Sequence, residues 1–185
     1  QNYRLIVMQK YVYKVALVGS THVGKTTLQQ RVVKGKFFEH LERTVGVTFE
    51  AKSFIKDNRQ IILQIWDFGG QLQYERIAEL LISGSKAVFY VFDLTRPTTL
   101  IELDNIWIPL GKKLGSPDGI YVLVGNKADL PKRVLSEQIK KVASKYNLPY
   151  YETSAKTGQG LNELFDYVIN KLITIKTSRV FEAKF

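Results

Sequence analysis

Gly19-Ser20-Thr21-His22-Val23-Gly24-Lys25-Thr26 is the stretch whose reading decides the fold. Its spacing, G-x-x-x-x-G-K-[ST], lies between an apolar run from Lys14 to Val18 and a helix-period segment from Lys25 to about Lys34. Strand, glycine-rich loop and helix in that order are the context that turns the pattern into a phosphate cradle. The two glycines let the backbone wrap until successive N–H groups converge on phosphate oxygens, and the helix N-terminus adds a favourable dipole. Lys25 neutralises the outer phosphates and Thr26 offers its hydroxyl to magnesium. Gly19, Ser20, Thr21, His22, Val23, Gly24 and Thr27 complete the expected nucleotide contacts. Such a loop does not choose the base.

Outward from the loop, short apolar runs alternate with helix-period segments, the pattern of strands joined by crossover helices in a mostly parallel sheet. A polar loop containing glycine follows the first helix and reaches Thr44. Thr48 to Ile55 and Gln60 to Trp66 flank Asp57-Asn58, whose turn preferences suit a hairpin. Ala87 to Phe92 and Ile120 to Val124 are continuous apolar runs, as expected of central strands covered on both faces. Leu135, Ile139, Val142, Ala143 and Tyr146 form one helical stripe, with Ser136 as its candidate N-cap. Leu161, Leu164, Phe165, Val168, Ile169, Leu172 and Ile173 form another, which reads as core.

With 185 residues and 45% hydrophobic content, the chain suits one domain with a single substantial core. The expected division is an N-terminal extension over 1–12, the nucleotide-binding domain over 13–176 and a tail over 177–185. Leu5-Ile6-Val7-Met8 and Tyr11-Val12-Tyr13 either extend the first strand or form an appendage, and Gln1 in place of Met fits a fragment or a processed chain. With no cysteine and only His22 and His40, thiolate and imidazole metal sites are excluded, so a hard cation on oxygen ligands is the expected metal. No apolar run reaches the ~18 residues that span a bilayer. A cytoplasmic protein, peripheral to membranes at most, is expected. The net charge of +10 is spread from Arg4 to Lys184, which favours a solvated basic surface over a nucleic-acid or membrane patch.

The base is read from Asn126-Lys127-Ala128-Asp129, directly after the apolar strand that ends in Val124-Gly125. Open α/β sheets bind ligands at that carboxyl edge. Guanine presents two adjacent donors, N1–H and the exocyclic amine, and one carboxylate accepts both. Adenine has an acceptor at the ring nitrogen and would leave the carboxylate unpaired. A site built on such bonds discriminates by ~10⁴ or more, so Asp129 is the specificity residue. Thr153-Ser154-Ala155-Lys156, after the short strand at Tyr150-Tyr151, can offer the Ala155 N–H to the guanine carbonyl.

Asp67-Phe68-Gly69-Gly70-Gln71 then supplies a carboxylate for the magnesium shell, a Gly70 N–H for the γ-phosphate and a Gln71 amide to orient water for in-line attack. Thr44, within Thr44-Val45-Gly46, can complete the metal shell. Loss of the γ-phosphate would release both segments, which turns hydrolysis into a change of shape.

Together these residues resemble the Ras superfamily of small GTPases over about Lys14 to Lys176. The resemblance implies a six-stranded sheet, its Thr48 to Ile55 strand antiparallel, flanked by about five helices. It also implies that Phe37 packs edge-on against guanine, where without it Phe37 reads equally well as an anchor for the helix end, and that Lys127 covers base and ribose. Thr44-Val45-Gly46-Val47-Thr48-Phe49 is similar to Rab proteins, while Asp67-x-Gly69-Gly70-Gln71 is closer to Arf proteins, and the balance is Rab-like. Two departures stand out: Thr21 and His22 occupy positions where Ras proteins carry glycine. Thr21 can crowd Gln71 and an incoming arginine, so slow intrinsic hydrolysis is expected. Arg43 reads as an exposed loop cation more readily than as an internal substitute for that arginine.

The functional expectation is a monomeric GTP/GDP switch in signalling or vesicle trafficking, with effector, exchange-factor and GTPase-activating partners. The alternative is a GTP-binding scaffold that hydrolyses little. A P-loop kinase lacks a visible acceptor lid or arginine cluster. No cysteine is present to carry a lipid, and the basic, aromatic tail supports at most weak electrostatic docking on a membrane.

Overall fold

A computed structural model describes residues 8–38, 46–69 and 74–182, with the side chains of 74–75 and 176–182 left out of account. One six-stranded sheet runs in the order β2-β3-β1-β4-β5-β6. The strands are β1 (Gln9–Val18), β2 (Gly46–Lys56), β3 (Arg59–Gly69), β4 (Ala87–Asp93), β5 (Ile120–Asn126) and β6 (Tyr150–Glu152). All neighbours pair in parallel except β2 with β3. The expected mostly parallel sheet with one antiparallel strand is therefore present.

The helices are α1 (Lys25–Lys34), α2 (Tyr74–Ile82), α3 (Pro97–Glu102), α4 (Ile108–Leu114), α5 (Ser136–Tyr146) and α6 (Leu161–Glu182). A π-helical turn, Leu103–Trp107, joins α3 to α4 without a break, so the described residues make five helical rods. The last rod continues to Glu182, past the residue at which the sequence suggests a tail.

Alternation along the strands builds two cores from one sheet. Val15 and Leu17 of β1 face α1 and α6, where Leu28, Leu164, Phe165 and Val168 are buried. Ala16 and Val18 face the other way, onto Ile77, Leu81, Leu103, Trp107 and Ile139. Every residue of β4 is buried, as its uninterrupted apolar run requires of a strand covered on both faces.

Local chemistry accounts for the boundaries. Asp57 and Asn58 both take positive φ, 49° and 56°, the geometry of a type I′ hairpin turn, and it sets the register from Lys56↔Arg59 to Gly46↔Gly69. Gly35 closes α1 at φ 68°, donating its N–H to Arg31 O at 2.9 Å. Tyr11-Val12-Tyr13 extend β1, which pairs with β3 from Gln9↔Arg59 onward, whereas Leu5 to Val7 lie outside the described residues. One boundary corrects the sequence reading. Leu135, not Ser136, is the N-cap, because Gln138 reaches back and accepts the Leu135 N–H at 3.0 Å. The glutamine at the third helical position therefore satisfies the donor, and Ser136 is already helical.

Candidate functional site

β1 is the strand from which the chain connections diverge, with β3 on one side and β4 on the other. In open α/β sheets the crevice beyond such a strand's carboxyl end is the ligand site, and Gly19 to Gly24 leave β1 there. Gly19 has φ 144° and Gly24 φ 95°. A Cβ on Gly19 would stand 2.1 Å from the Val91 carbonyl oxygen, and one on Gly24 would stand 2.4 Å from Asn126 Nδ2. Both glycines are thus demanded by close neighbours as well as by the wrap of the loop. α1 begins without a side-chain cap or an acidic residue in its first turn, which leaves its positive end open to an anion.

Lys25 Nζ curls into the loop and donates to Gly19 O and Ser20 O, both at 2.9 Å. Burial pulls its ammonium pKa down, against the attraction of Asp67 and Glu102. The Thr26 hydroxyl donates to Asp67 Oδ2. Asp67 is fully buried, and burial pushes its carboxyl pKa up while the Thr26 bond and the Lys25 charge pull it down. Its other oxygen, Oδ1, has no hydrogen-bond partner among the described residues, nor has the buried Ser20 hydroxyl.

An unsatisfied buried carboxylate oxygen beside a hydroxyl fits a hard cation. Among the described residues no group of three or more His, Cys, Asp or Glu side chains could enclose one. Magnesium is commonly held through only one or two carboxylates, the rest of its octahedron being filled by other oxygens, phosphates and water.

Beside the cradle lies a cavity of about 250 Å³. Phe37 lines it from beyond α1, with Gly24 and Thr27 from the helix start. Asn126, Lys127 and Asp129 reach it from behind β5, and Ala155 and Lys156 from behind β6. It is smaller than the ~300–1,000 Å³ of typical whole-ligand pockets and suits one flat group. Asp129 Oδ1 accepts the Ser154 hydroxyl at 2.5 Å, which orients a carboxylate that is otherwise exposed. Ser154 also accepts the Thr157 N–H at 3.1 Å, so the loop holds its own orienter in place.

Asn126 does more than line the cavity. Only 1% exposed, it donates to Val23 O at 2.9 Å and accepts from Thr153 Oγ1 at 3.2 Å and the Ala155 N–H at 3.3 Å. It therefore ties the phosphate loop to the loop behind β6. Lys127, at φ 66°, sends Nζ to His22 O at 2.8 Å and to Asp93 Oδ2 at 2.7 Å. Its ammonium thus sits against the phosphate loop while the residue also lines the cavity. Thr21 and His22 are exposed, Val23 is buried, and His22 adopts φ 62°. Thr44, Gly70 and Gln71, with Arg43, lie outside the described residues.

Sequence reasoning passed over Asp93 and Arg96. Asp93 is 1% exposed, and its Oδ2 also accepts from Arg96 Nε at 3.1 Å. The available signal was positional: Asp93 ends apolar β4 at the same carboxyl edge where Asp67 nears the end of β3 and Asn126 ends β5. Burial alone would raise the Asp93 carboxyl, but hydrogen bonds from Lys127 and Thr95 hold it below the ordinary carboxylate range. Its stabilising contribution is then complete above the unfolded-state value of 3.8 and is lost as pH falls through the folded value. Asp93→Asn should lower stability by about 1–3 kcal/mol at neutral pH, since both cations are partly solvated. In denaturant melts the gap to the parent should narrow below about pH 4, and a gap independent of pH would contradict the ionic role.

A model described as the Ras family matches residues 14–174. The chain is 36% identical over 163 residues to a "Putative ras-related protein Rab-5B" of Dictyostelium discoideum, an alignment covering 87% of this chain and 75% of that protein. It is 33% identical over 171 residues to "Ras-related protein Rab-5A" of the same organism, covering 91% of this chain and 85% of that one.

Proposed function

Since the chain belongs to the Ras family and is a Rab-like small GTPase, we propose that its cradle and neighbouring cavity hold the two ends of one guanine nucleotide. The protein is a GTP-binding switch that hydrolyses GTP to GDP and phosphate, not a scaffold that merely retains it. The observation that carries the residue assignment is the placement of Asp129 and Ala155 on one small cavity whose edge, Gly24, is also the end of the phosphate loop.

In this assignment Asp129 accepts N1–H and the exocyclic amine of guanine, and Ala155 donates its N–H to the carbonyl. Phe37, Lys127 and Lys156 cover the ring, and Asn126 holds the two loops at a fixed separation. Backbone N–H groups of the loop from Gly19 to Thr26 bind the phosphates, and Lys25 exchanges its carbonyl partners for phosphate oxygens. Thr26, Asp67 and Thr44 hold magnesium, which family members generally use. Bound there, the ion would supply positive charge to offset that of the phosphates. Gly70 donates its N–H to the γ-phosphate and Gln71 orients the attacking water.

Single-turnover hydrolysis tests the catalytic part. The parent should release phosphate slowly, on the reading that a threonine at residue 21, where Ras proteins carry glycine, crowds Gln71 and an arginine from an activating protein. Gln71→Leu should lower that rate further, by roughly 10²-fold, with GTP affinity retained. Unchanged release by the variant would remove Gln71 from the mechanism.

Membership of the family implies effectors, exchange factors and activating proteins as partners. Among the described residues no helix is long and apolar enough to cross a membrane. On the likeness to the Rab-5 proteins, the further proposal is a monomer that works in the cytoplasm, in vesicle trafficking and in peripheral contact with membranes.

A further inference from the structure

Two cations reach over the phosphate loop, and one buried carboxylate governs both. Arg96 Nη2 donates to Thr21 O at 2.9 Å, and Lys127 Nζ donates to His22 O at 2.8 Å. Asp93 Oδ2 accepts from Arg96 Nε at 3.1 Å and from Lys127 Nζ at 2.7 Å. Its second oxygen is fixed by the Thr95 N–H at 2.8 Å and the Thr95 hydroxyl at 2.7 Å. The Asp93 N–H is itself donated to Thr99 Oγ1 at 3.0 Å. The carboxylate is therefore immobilised from both sides and from its own backbone.

The loop segment held this way is the one without glycine. His22 takes φ 62°, a left-handed conformation that side chains disfavour, so something must hold it there. Peptide planarity gives the hold a direction. In a trans peptide the C=O and the following N–H point to opposite sides. Fixing Thr21 O on Arg96 and His22 O on Lys127 turns the N–H groups of His22 and Val23 away from the cations. Those are donors that a phosphate cradle needs.

We propose that Asp93 and Arg96 form a clamp that positions the phosphate loop through the carbonyls of Thr21 and His22, and thereby sets how long the nucleotide stays bound. Arg96 is a positioning residue in this scheme, because its planar fork serves the Asp93 carboxylate with one nitrogen and the Thr21 carbonyl with another. The inference rests on the reading of this loop as a phosphate site.

The experiment is release of a fluorescent GDP analogue from the full chain in the presence of magnesium. Arg96→Ala should speed release about tenfold, while the preference for GTP over ATP stays as in the parent because Asp129 is untouched. Arg96→Lys retains the charge but not the fork and should fall between the two. A release rate for Arg96→Lys equal to the parent's would reduce the clamp to a simple charge effect and overturn it.

His22→Gly separates positioning from general weakening. Glycine enters the left-handed conformation freely, so Arg96→Ala in that background should speed release less than about threefold. The same tenfold factor in both backgrounds, or no effect of Arg96→Ala in the parent, would refute the clamp. A parent that binds GTP and ATP equally would instead refute the guanine reading and leave the clamp a matter of phosphate retention.

Discussion

Asp129→Ala should weaken GTP binding by roughly 10²- to 10⁴-fold and leave ATP binding where it was. In the proposed assignment the carboxylate accepts from two adjacent guanine donors, and a hydrogen bond to a charged group is worth about 1.5–3 kcal/mol, so losing both spans that range. In the proposed assignment the contacts to phosphate come from Gly19 to Thr26 and do not pass through Asp129, which is why the adenine nucleotide should be indifferent. Part of any loss could arise indirectly, since Asp129 Oδ1 accepts the Ser154 hydroxyl and Ser154 in turn accepts the Thr157 N–H. Ser154→Ala controls for that: it should reproduce only a modest share of the effect, about one hydrogen bond's worth. Calorimetry with both nucleotides decides the matter. An equal fall for GTP and ATP in Asp129→Ala would make the residue a loop support and leave the base unread.

The largest expected effect on stability comes from Gly19→Ala. The new Cβ would lie 2.1 Å from the carbonyl oxygen of Val91 and 3.2 Å from its carbon, both backbone atoms of fully buried β4. No side chain can swing aside to relieve that contact. Relief requires β1 and β4 to separate at the mouth of the site, or φ at 144° to be abandoned. Overpacking of a core and forced backbone conformation together destabilise by about 2–6 kcal/mol, a large part of the 5–15 kcal/mol typical of a domain. Gly35→Ala is the comparison, because it also has positive φ but nothing within 4 Å of its would-be Cβ. It should lose only about 1–2 kcal/mol. Denaturant melts showing the two variants equally destabilised would mean that conformation alone, and not the approach of β4, dictates glycine at residue 19.

Which features the sequence disclosed follows the range of the interactions behind them. The start of α1 at Lys25, the Asp57-Asn58 turn and the buried β4 run were readable because neighbouring residues determine them. Ser136 misled by one position because its residue type favours a cap, whereas the deciding group, the Gln138 side chain, serves the residue three before it, Leu135. Asn126 was recognised as part of a base-reading motif, yet its bonds to Val23, Thr153 and Ala155 join segments that only the sheet brings together. Arg96, and the bonds that Asp93 makes, were hidden for the same reason. Arg96 meets Thr21 across a large separation in the chain, and no periodicity or spacing encodes that meeting. The residues proposed for metal and base could be picked out because their chemistry is written in residue types. The network that fixes them is written in tertiary contacts.

The match to the Ras family model begins at residue 14, but the ladder between β1 and β3 begins at Gln9. The opening residues of β1 lie opposite Arg59 to Leu63, whereas β4 meets β1 only from Val15. Trimming the protein to residues 14–174 would therefore strip one flank of β3 of its main-chain partners just where Ile61 and Leu63 enter the core. For anyone shortening this chain, the safe cut lies ahead of Gln9, five residues before the family-model match begins.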